Sequence, residues 1–241
     1  MADLKAQCHP IADKSRFVDM IAAFFTQEPP HLMENRSASL RVSDLACSRD
    51  ERLLFSNVSF SLFPGQILLL EGSNGSGKTT LLRILCGFRE ADAGEIQWRG
   101  EGIADSDYFS EMAYVGHADG SKKELSVLEN LNFALALNTP GHYSIDQALV
   151  MVQLAGFDDN PVQTLSAGQK RRLSLARLLI THNLLWILDE PFTSLDKQGV
   201  DLIENLMLDH TRQGGMVILT SHQDLTLPHL DLKRVHLDSC Q

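Results

Sequence analysis

The residues best equipped for chemistry stand together in Gly72-Ser-Asn-Gly-Ser-Gly-Lys-Thr-Thr80, directly after the apolar run Ile67 to Leu70. A buried strand that feeds a Gly-rich turn and then a helix is a cradle for phosphate. Gly72, Gly75 and Gly77 let the backbone turn sharply, so that N–H groups along Ser73, Asn74 and Ser76 point inward at an anion. The helix that follows adds the positive end of its dipole. Lys78 is placed to reach the β- and γ-phosphates, and Thr79, ahead of Thr80, to put its hydroxyl on Mg²⁺. The ligand this spacing calls for is a nucleoside triphosphate.

A second constellation is Leu184-Leu-Trp-Ile-Leu-Asp-Glu190, an apolar run that ends in two carboxylates. Apolar on both faces, it suits a central parallel strand, with Asp189 and Glu190 at the carboxyl edge. There Asp189 can hold Mg²⁺, directly or through water, opposite Thr79. Glu190 is placed to act as general base on a water attacking the γ-phosphate. Pro191 keeps Glu190 out of the helical region and fixes where its carboxylate points.

The third is Leu165-Ser-Ala-Gly-Gln169. Ser166-x-x-Gln169 is a capping-box start, so a helix from Ala167 to about Ile180 begins here with free N–H groups. Lys170, Arg171 and Arg172 follow at once, and cations in a first turn oppose the helix dipole. The expectation is that an anion arrives at this end too.

These residues need a frame to hold them. Short alternating runs from Ser39 onward, Leu40 to Val42 and Val58 to Leu62, predict antiparallel strands, and Pro64-Gly65 marks the turn into the strand before the phosphate loop. A helix Lys78 to Cys86 stops at Gly87, and Ala93 to Trp98 reads as a turn and short strand. Between roughly Ser121 and Pro161 the pattern turns helical. Ser126-Val-Leu-Glu129 is a capping box ahead of Leu128, Leu131 and Leu135, and a second helix is expected from about Asp146 to Gly156. From Leu184 strands and helices alternate again, with a helix near Lys197 to Gln213, which implies a mainly parallel sheet with ligands at its carboxyl edge. Residues 1–36 lack this pattern. They read as an amphipathic helix plus linker, a disordered extension, or sequence upstream of a start at Met33.

Composition narrows the partners. With 21 basic and 31 acidic residues the net charge is −10, which disfavours nucleic acid held on a basic face. No apolar run approaches the roughly 18 residues of a membrane span, so any membrane link goes through a partner. The segment Phe17 to Phe25 is interrupted by Asp19 and followed by no small-residue cleavage site, which reads as a cytosolic chain. Cys8, Cys47, Cys86 and Cys240 are scattered without metal-ligand spacing, and reduced thiols and no structural metal are expected.

Two phosphate-facing helix ends in one chain resemble the nucleotide-binding subunits of ABC transporters. The resemblance covers roughly Leu40 to Leu225. It implies an α/β P-loop NTPase fold with an antiparallel β portion and an inserted helical subdomain at about 121–161, within an ATP-binding domain 37–241. It also implies a head-to-tail homodimer in which the signature loop of one copy closes over ATP held by the other. In that arrangement Ser166, Gly168 and Gln169 approach the partner's γ-phosphate, and Asp196 lies in the loop that crosses the interface. His222, after the buried run Met216 to Ser221, matches the histidine that senses γ-phosphate. Three departures stand out. Ala167 replaces the family's usual glycine. No aromatic precedes Leu53 for stacking on adenine, leaving Arg49 or Arg52. The loop that usually offers a Gln to Mg²⁺ and the attacking water reads Tyr114-Val-Gly-His117, so His117 takes that place or the contact is lost.

Tyr114 to His117, Glu190 to Val200, Gly214 to Leu225 and Gly94 to Gly100 further resemble the ATPases of cytochrome c maturation, the haem exporter subunits. That resemblance implies a peripheral subunit on the cytoplasmic face of a bacterial inner membrane, paired with integral-membrane permease subunits. The groove between His117 and the helices near Ser126 to Asn138 is the expected docking surface. Another small-cargo exporter, or a soluble ABC ATPase not linked to transport, fits the same core motifs.

Overall fold

The computed structural model describes residues 39–50, 52–118, 120–221 and 232–237. The expectations for residues 1–36 and for His222 lie outside them.

The chain opens with β1 (Leu40–Arg49) and β2 (Arg52–Leu62), an antiparallel hairpin. These strands are longer than the alternating runs suggest. The register shifts between Val42 and Leu45 and twice more before Ser48, and Asp44 takes a left-handed φ of 49°. Each bulge resets which residue faces the core and blurs the period of two. Next come β3 (Ile67–Glu71), α1 (Lys78–Leu85), β4 (Ala93–Trp98) and β5 (Glu101–Gly102). Strands β2, β1, β4 and β5 form, in that order, a four-stranded antiparallel sheet.

After α2 (Tyr108–Glu111) and β6 (Met112–Val115) lie α3 (Val127–Leu137) and α4 (Ile145–Met151). Complete capping boxes start both α3 and α4, Ser126 with Glu129 and Ser144 with Gln147. Helix α4 stops well short of the expected Gly156. Gln153 adopts φ 58° just beyond it, the terminating conformation that glycine usually supplies and that a glutamine does not advertise. Then follow α5 (Ala167–Ile180), β7 (Leu185–Leu188), α6 (Lys197–Arg212), β8 (Met216–Thr220) and β9 (Leu232–His236).

A five-stranded sheet of order β6-β7-β8-β3-β9 pairs throughout in parallel. Strands β3, β7 and β8 are apolar on both faces up to their ends because two cores meet there. Leu68, Leu70, Leu185, Ile187, Met216 and Ile218 pack with α1 and the antiparallel sheet. Ile67, Leu69, Trp186, Leu188, Val217 and Leu219 pack with the helices on the other side. Parallel pairing brings the carboxyl ends of β6, β7, β8 and β3 to one edge, and the candidate site residues emerge from that edge.

Trp186 of β7 stacks on His210 of α6, with ring centroids 3.9 Å apart and planes 7° from parallel. Burial pushes the His210 imidazole down to about 4. The unfolded chain therefore takes up a proton near its ordinary value of 6.5 while the folded protein resists it, so this site favours the fold above pH 6.5 and loses that contribution as pH falls toward 4. The loss is expected to approach about 3 kcal/mol. Urea unfolding of wild type and His210→Phe at pH 7 and pH 4.5 checks this: the variant's stability should depend less on pH.

Candidate functional site

The phosphate loop runs from Gly72 to Gly77 and all three of its glycines take positive φ, 149°, 83° and 99°. At Gly77 a methyl group would strike the Phe55 ring at 2.8 Å, so glycine is required there by backbone angle and by space. Ser73, Asn74 and Gly75 line the outer side of the loop, whereas Ser76 is buried. The Ser76 hydroxyl has no hydrogen-bond partner among the described residues. Lys78 curls back over the loop, its Nζ donating to the carbonyls of Gly72 at 2.6 Å and Ser73 at 3.1 Å. An ammonium carries three donors, and the third remains for an anion. An orphan hydroxyl, a spare ammonium donor and a glycine cradle fit a phosphate chain.

Thr79, in the first turn of α1 and exposed, and Thr80 beside it follow Lys78. The Thr79 hydroxyl stands 3.4 Å from Asp189 Oδ1. Asp189 directly follows β7 and is 3% exposed. The Thr220 hydroxyl donates to the same oxygen at 2.8 Å. The structure thus brings together two of the three residues expected at Mg²⁺, Thr79 and Asp189, and oxygen donors of this kind suit a hard divalent cation.

Glu190 is half-buried, with φ 49°. Pro191 excludes the right-handed helical region as expected, yet the backbone lies in the left-handed region rather than the extended one. Such a conformation costs about 1–3 kcal/mol and persists where neighbours over-determine it. Those neighbours are identifiable: the Glu190 N–H donates to Thr220 Oγ at 2.9 Å, and Arg171 grips the carbonyls on either side, Asp189 and Pro191, each at 3.1 Å. A cleft of about 220 Å³ opens beside it, lined by His117, Ala167, Arg171, Glu190, Thr193 and Ser194. His117 is exposed there and shares the cleft with Glu190.

Two of the three cations after Gln169, Arg171 and Arg172, are engaged by the protein itself rather than presented to an anion. Arg171 is 5% exposed and donates to three backbone carbonyls, the third being Gly116 at 2.7 Å. Arg172 bonds to the Val152 carbonyl and pairs with Asp196 at 3.7 Å. Sequence reasoning missed Arg171 by weighing its charge above its place on the helix. Its spacing to Ser174 and Leu178, both buried, marks the inward face of α5. Thr220 was missed as well, although a threonine closing the apolar run Met216 to Leu219 ends a strand of the same sheet as Asp189.

Ser166 caps α5 with a complete box: its Oγ accepts from Gln169 N at 3.2 Å and its N–H donates to Gln169 Oε1 at 2.9 Å. The N–H groups of Ala167 and Gly168 keep no acceptor within the helix. A methyl on Gly168 would stand 3.4 Å from the Ser194 carbonyl, so this helix end faces the segment after Glu190. Asp196 caps α6, its Oδ1 accepting from Gly199 N at 2.8 Å. On the adenine side, Arg49 pairs with Asp50 at 3.4 Å and Arg52 is exposed. Cys86, at the end of α1, is buried. Burial first and the Asp189 charge second push its thiol up to about 12, which leaves it unreactive.

A phosphate loop, an acidic strand end and a capped helix facing the same edge define a nucleotide-binding ATPase of the phosphate-loop class. Within that class the chain belongs to the ABC transporter family, whose model matches residues 55–193. It is 46% identical over 213 residues to the cytochrome c biogenesis ATP-binding export protein CcmA of Photobacterium profundum, covering 82% of this chain and 99% of that protein. The protein of the same name from Escherichia coli O157:H7 is 48% identical over 206 residues, covering 82% and 96%. A solved structure described as a putative ABC transporter ATP-binding protein from Pyrococcus furiosus shares the fold, with a TM-score of 0.72 at 24% identity over 82% of this chain and 96% of that one.

Arg171→Met keeps the side chain's length and strips the donors from three buried carbonyls. Unfolding free energy in urea should fall by about 3 kcal/mol or more. A loss below about 1 kcal/mol would mean that those carbonyls find other donors.

Proposed function

We propose that the chain is the ATP-hydrolysing subunit of an ABC transporter complex for cytochrome c biogenesis, coupling hydrolysis to haem export or to release of a haem chaperone. The observation that carries the reading is the approach of Thr79 to Asp189 Oδ1 across 110 residues of sequence. It sets an oxygen pair suited to Mg²⁺ beside a phosphate cradle. Relatives named for cytochrome c biogenesis support the biological assignment.

In this reading residues 72–80 hold the triphosphate, with Lys78 on the β- and γ-phosphates. Thr79 and Asp189, with His117 as a further candidate, would hold Mg²⁺, which when bound would neutralise charge on the phosphate oxygens. Glu190 accepts a proton from water as its oxygen bonds to the γ-phosphorus. The bond from that phosphorus to the β,γ-bridging oxygen breaks, leaving ADP and phosphate. Ser166, Gly168, Gln169 and Asp196 act across a homodimer on ATP held by the other copy. The open N–H groups at the start of α5 suit a γ-phosphate. His222 senses that phosphate. The reading also divides the chain into an extension 1–36 and an ATP-binding domain 37–241 with helical subdomain 121–161.

Among the described residues no helix is long and apolar enough to cross a membrane. In this reading, attachment to the cytoplasmic face of the inner membrane runs through integral-membrane permease subunits of the maturation system. A groove of about 540 Å³ suits them. Phe88, Tyr114, Phe133 and Leu137 line it with Lys122 and Arg177, and Phe88, Phe133 and Leu137 are exposed.

Phosphate release and ATP-dependent dimerisation of purified Glu190→Gln and Lys78→Ala test the mechanism. Glu190→Gln should bind ATP, dimerise, and hydrolyse it at least about 100-fold more slowly. Lys78→Ala should lose nucleotide binding. Wild-type turnover by Glu190→Gln would remove Glu190 as the base.

A further inference from the structure

One hydroxyl joins the two carboxylate residues at the strand edge. Thr220, 1% exposed at the end of β8, donates to Asp189 Oδ1 at 2.8 Å and accepts from Glu190 N–H at 2.9 Å. We propose that Thr220 is a positioning residue for ATP hydrolysis, fixing the Asp189 carboxylate for Mg²⁺ and the Glu190 backbone for its role as base. The proposal rests on the reading of Asp189 and Glu190 given above.

The arrangement is directional. A hydroxyl has one proton, and here it goes to the carboxylate, so the oxygen faces the Glu190 amide as an acceptor. Glu190 N–H, Thr220 O–H and Asp189 Oδ1 thus form a chain whose bonds polarise one another in a dry setting. Thr79 reaches the same oxygen, Oδ1, at 3.4 Å. With both hydroxyl bonds on one oxygen, the lone pairs of Oδ2 are left to a cation.

Thr220 is also hard to displace. It lies opposite Leu70 in β3, and the preceding Leu219 pairs with Leu188 of β7. A β-branched side chain between two strands has little rotamer freedom. Arg171 holds the carbonyls of Asp189 and Pro191, so the Glu190 amide bond to Thr220 is the third restraint on a left-handed residue. Groups that orient a ligand in this way rank with the ligands themselves in effect.

Thr220→Ala and Thr220→Ser separate hydroxyl from packing, since both lose the methyl and only alanine loses the oxygen. For each, kcat is measured, together with Mn²⁺ binding by electron paramagnetic resonance in the presence of AMP-PNP and trinitrophenyl-ATP binding in EDTA. Thr220→Ala should lose about 10- to 100-fold in kcat and bind Mn²⁺ about tenfold more weakly, with metal-free nucleotide binding unchanged. Thr220→Ser should stay within about threefold of wild type throughout. The proposal is overturned if Thr220→Ala keeps wild-type kcat and Mn²⁺ affinity, if serine loses as much as alanine, or if metal-free nucleotide binding falls in parallel. Glu190→Gln assayed alongside distinguishes the failures: normal turnover there sinks the reading of the site, whereas normal turnover in Thr220→Ala alone sinks only this inference.

Discussion

A carboxylate taken almost wholly out of water must find donors, and the way Asp189 finds them organises the edge of the parallel sheet. Two hydroxyls, from β8 and from the first turn of α1, approach one of its oxygens. Because those hydroxyls belong to elements that flank β7 and the phosphate loop, satisfying Asp189 fixes how strand end, loop and helix stand against each other. The same hydroxyl from β8 also receives the next residue's amide, so the geometry of the proposed cation site and that of Glu190 are one problem with one solution.

The parallel sheet makes this possible. Strands buried on both faces carry no polar side chain until they end, and parallel pairing lines up the ends. Arg171 then binds the start of α5 to that edge through the carbonyls of Gly116, Asp189 and Pro191. The helix whose capped end faces outward is therefore joined directly to the residues proposed to meet the metal and the water. Movement of α5 and of Glu190 is coupled by bonds between a buried guanidinium and backbone oxygens, which are costly to leave unmade.

Much of this was legible in the residues alone, for reasons that are chemical. Only glycine tolerates the loop's backbone angles, so the phosphate cradle announces itself at Gly72, Gly75 and Gly77. An apolar run ending in Asp189-Glu190 reads as a buried strand reaching solvent, and Ser-x-x-Gln reads as a capped helix start; the structure has both. What stayed hidden depends on register between distant segments. Nothing near Thr220 in sequence says that Asp189, 31 residues earlier, lies across from it. Arg171 was misread because a local rule about charges in a first turn was applied without asking which face of the helix it occupies. The end of α4 was misplaced because Gln153 does what glycine normally does.

We propose that ATP is clasped between two copies, one supplying Thr79 and Asp189, which would hold the metal, and the other the capped start of α5. The most direct measurement is a structure of Glu190→Gln with ATP and Mg²⁺. Mg²⁺ is expected in contact with the Thr79 hydroxyl and reached by Asp189, directly or through a water, with Ser166 of a second copy on the γ-phosphate. A cation bound away from Asp189, or Ser166 remote from every triphosphate, would contradict it.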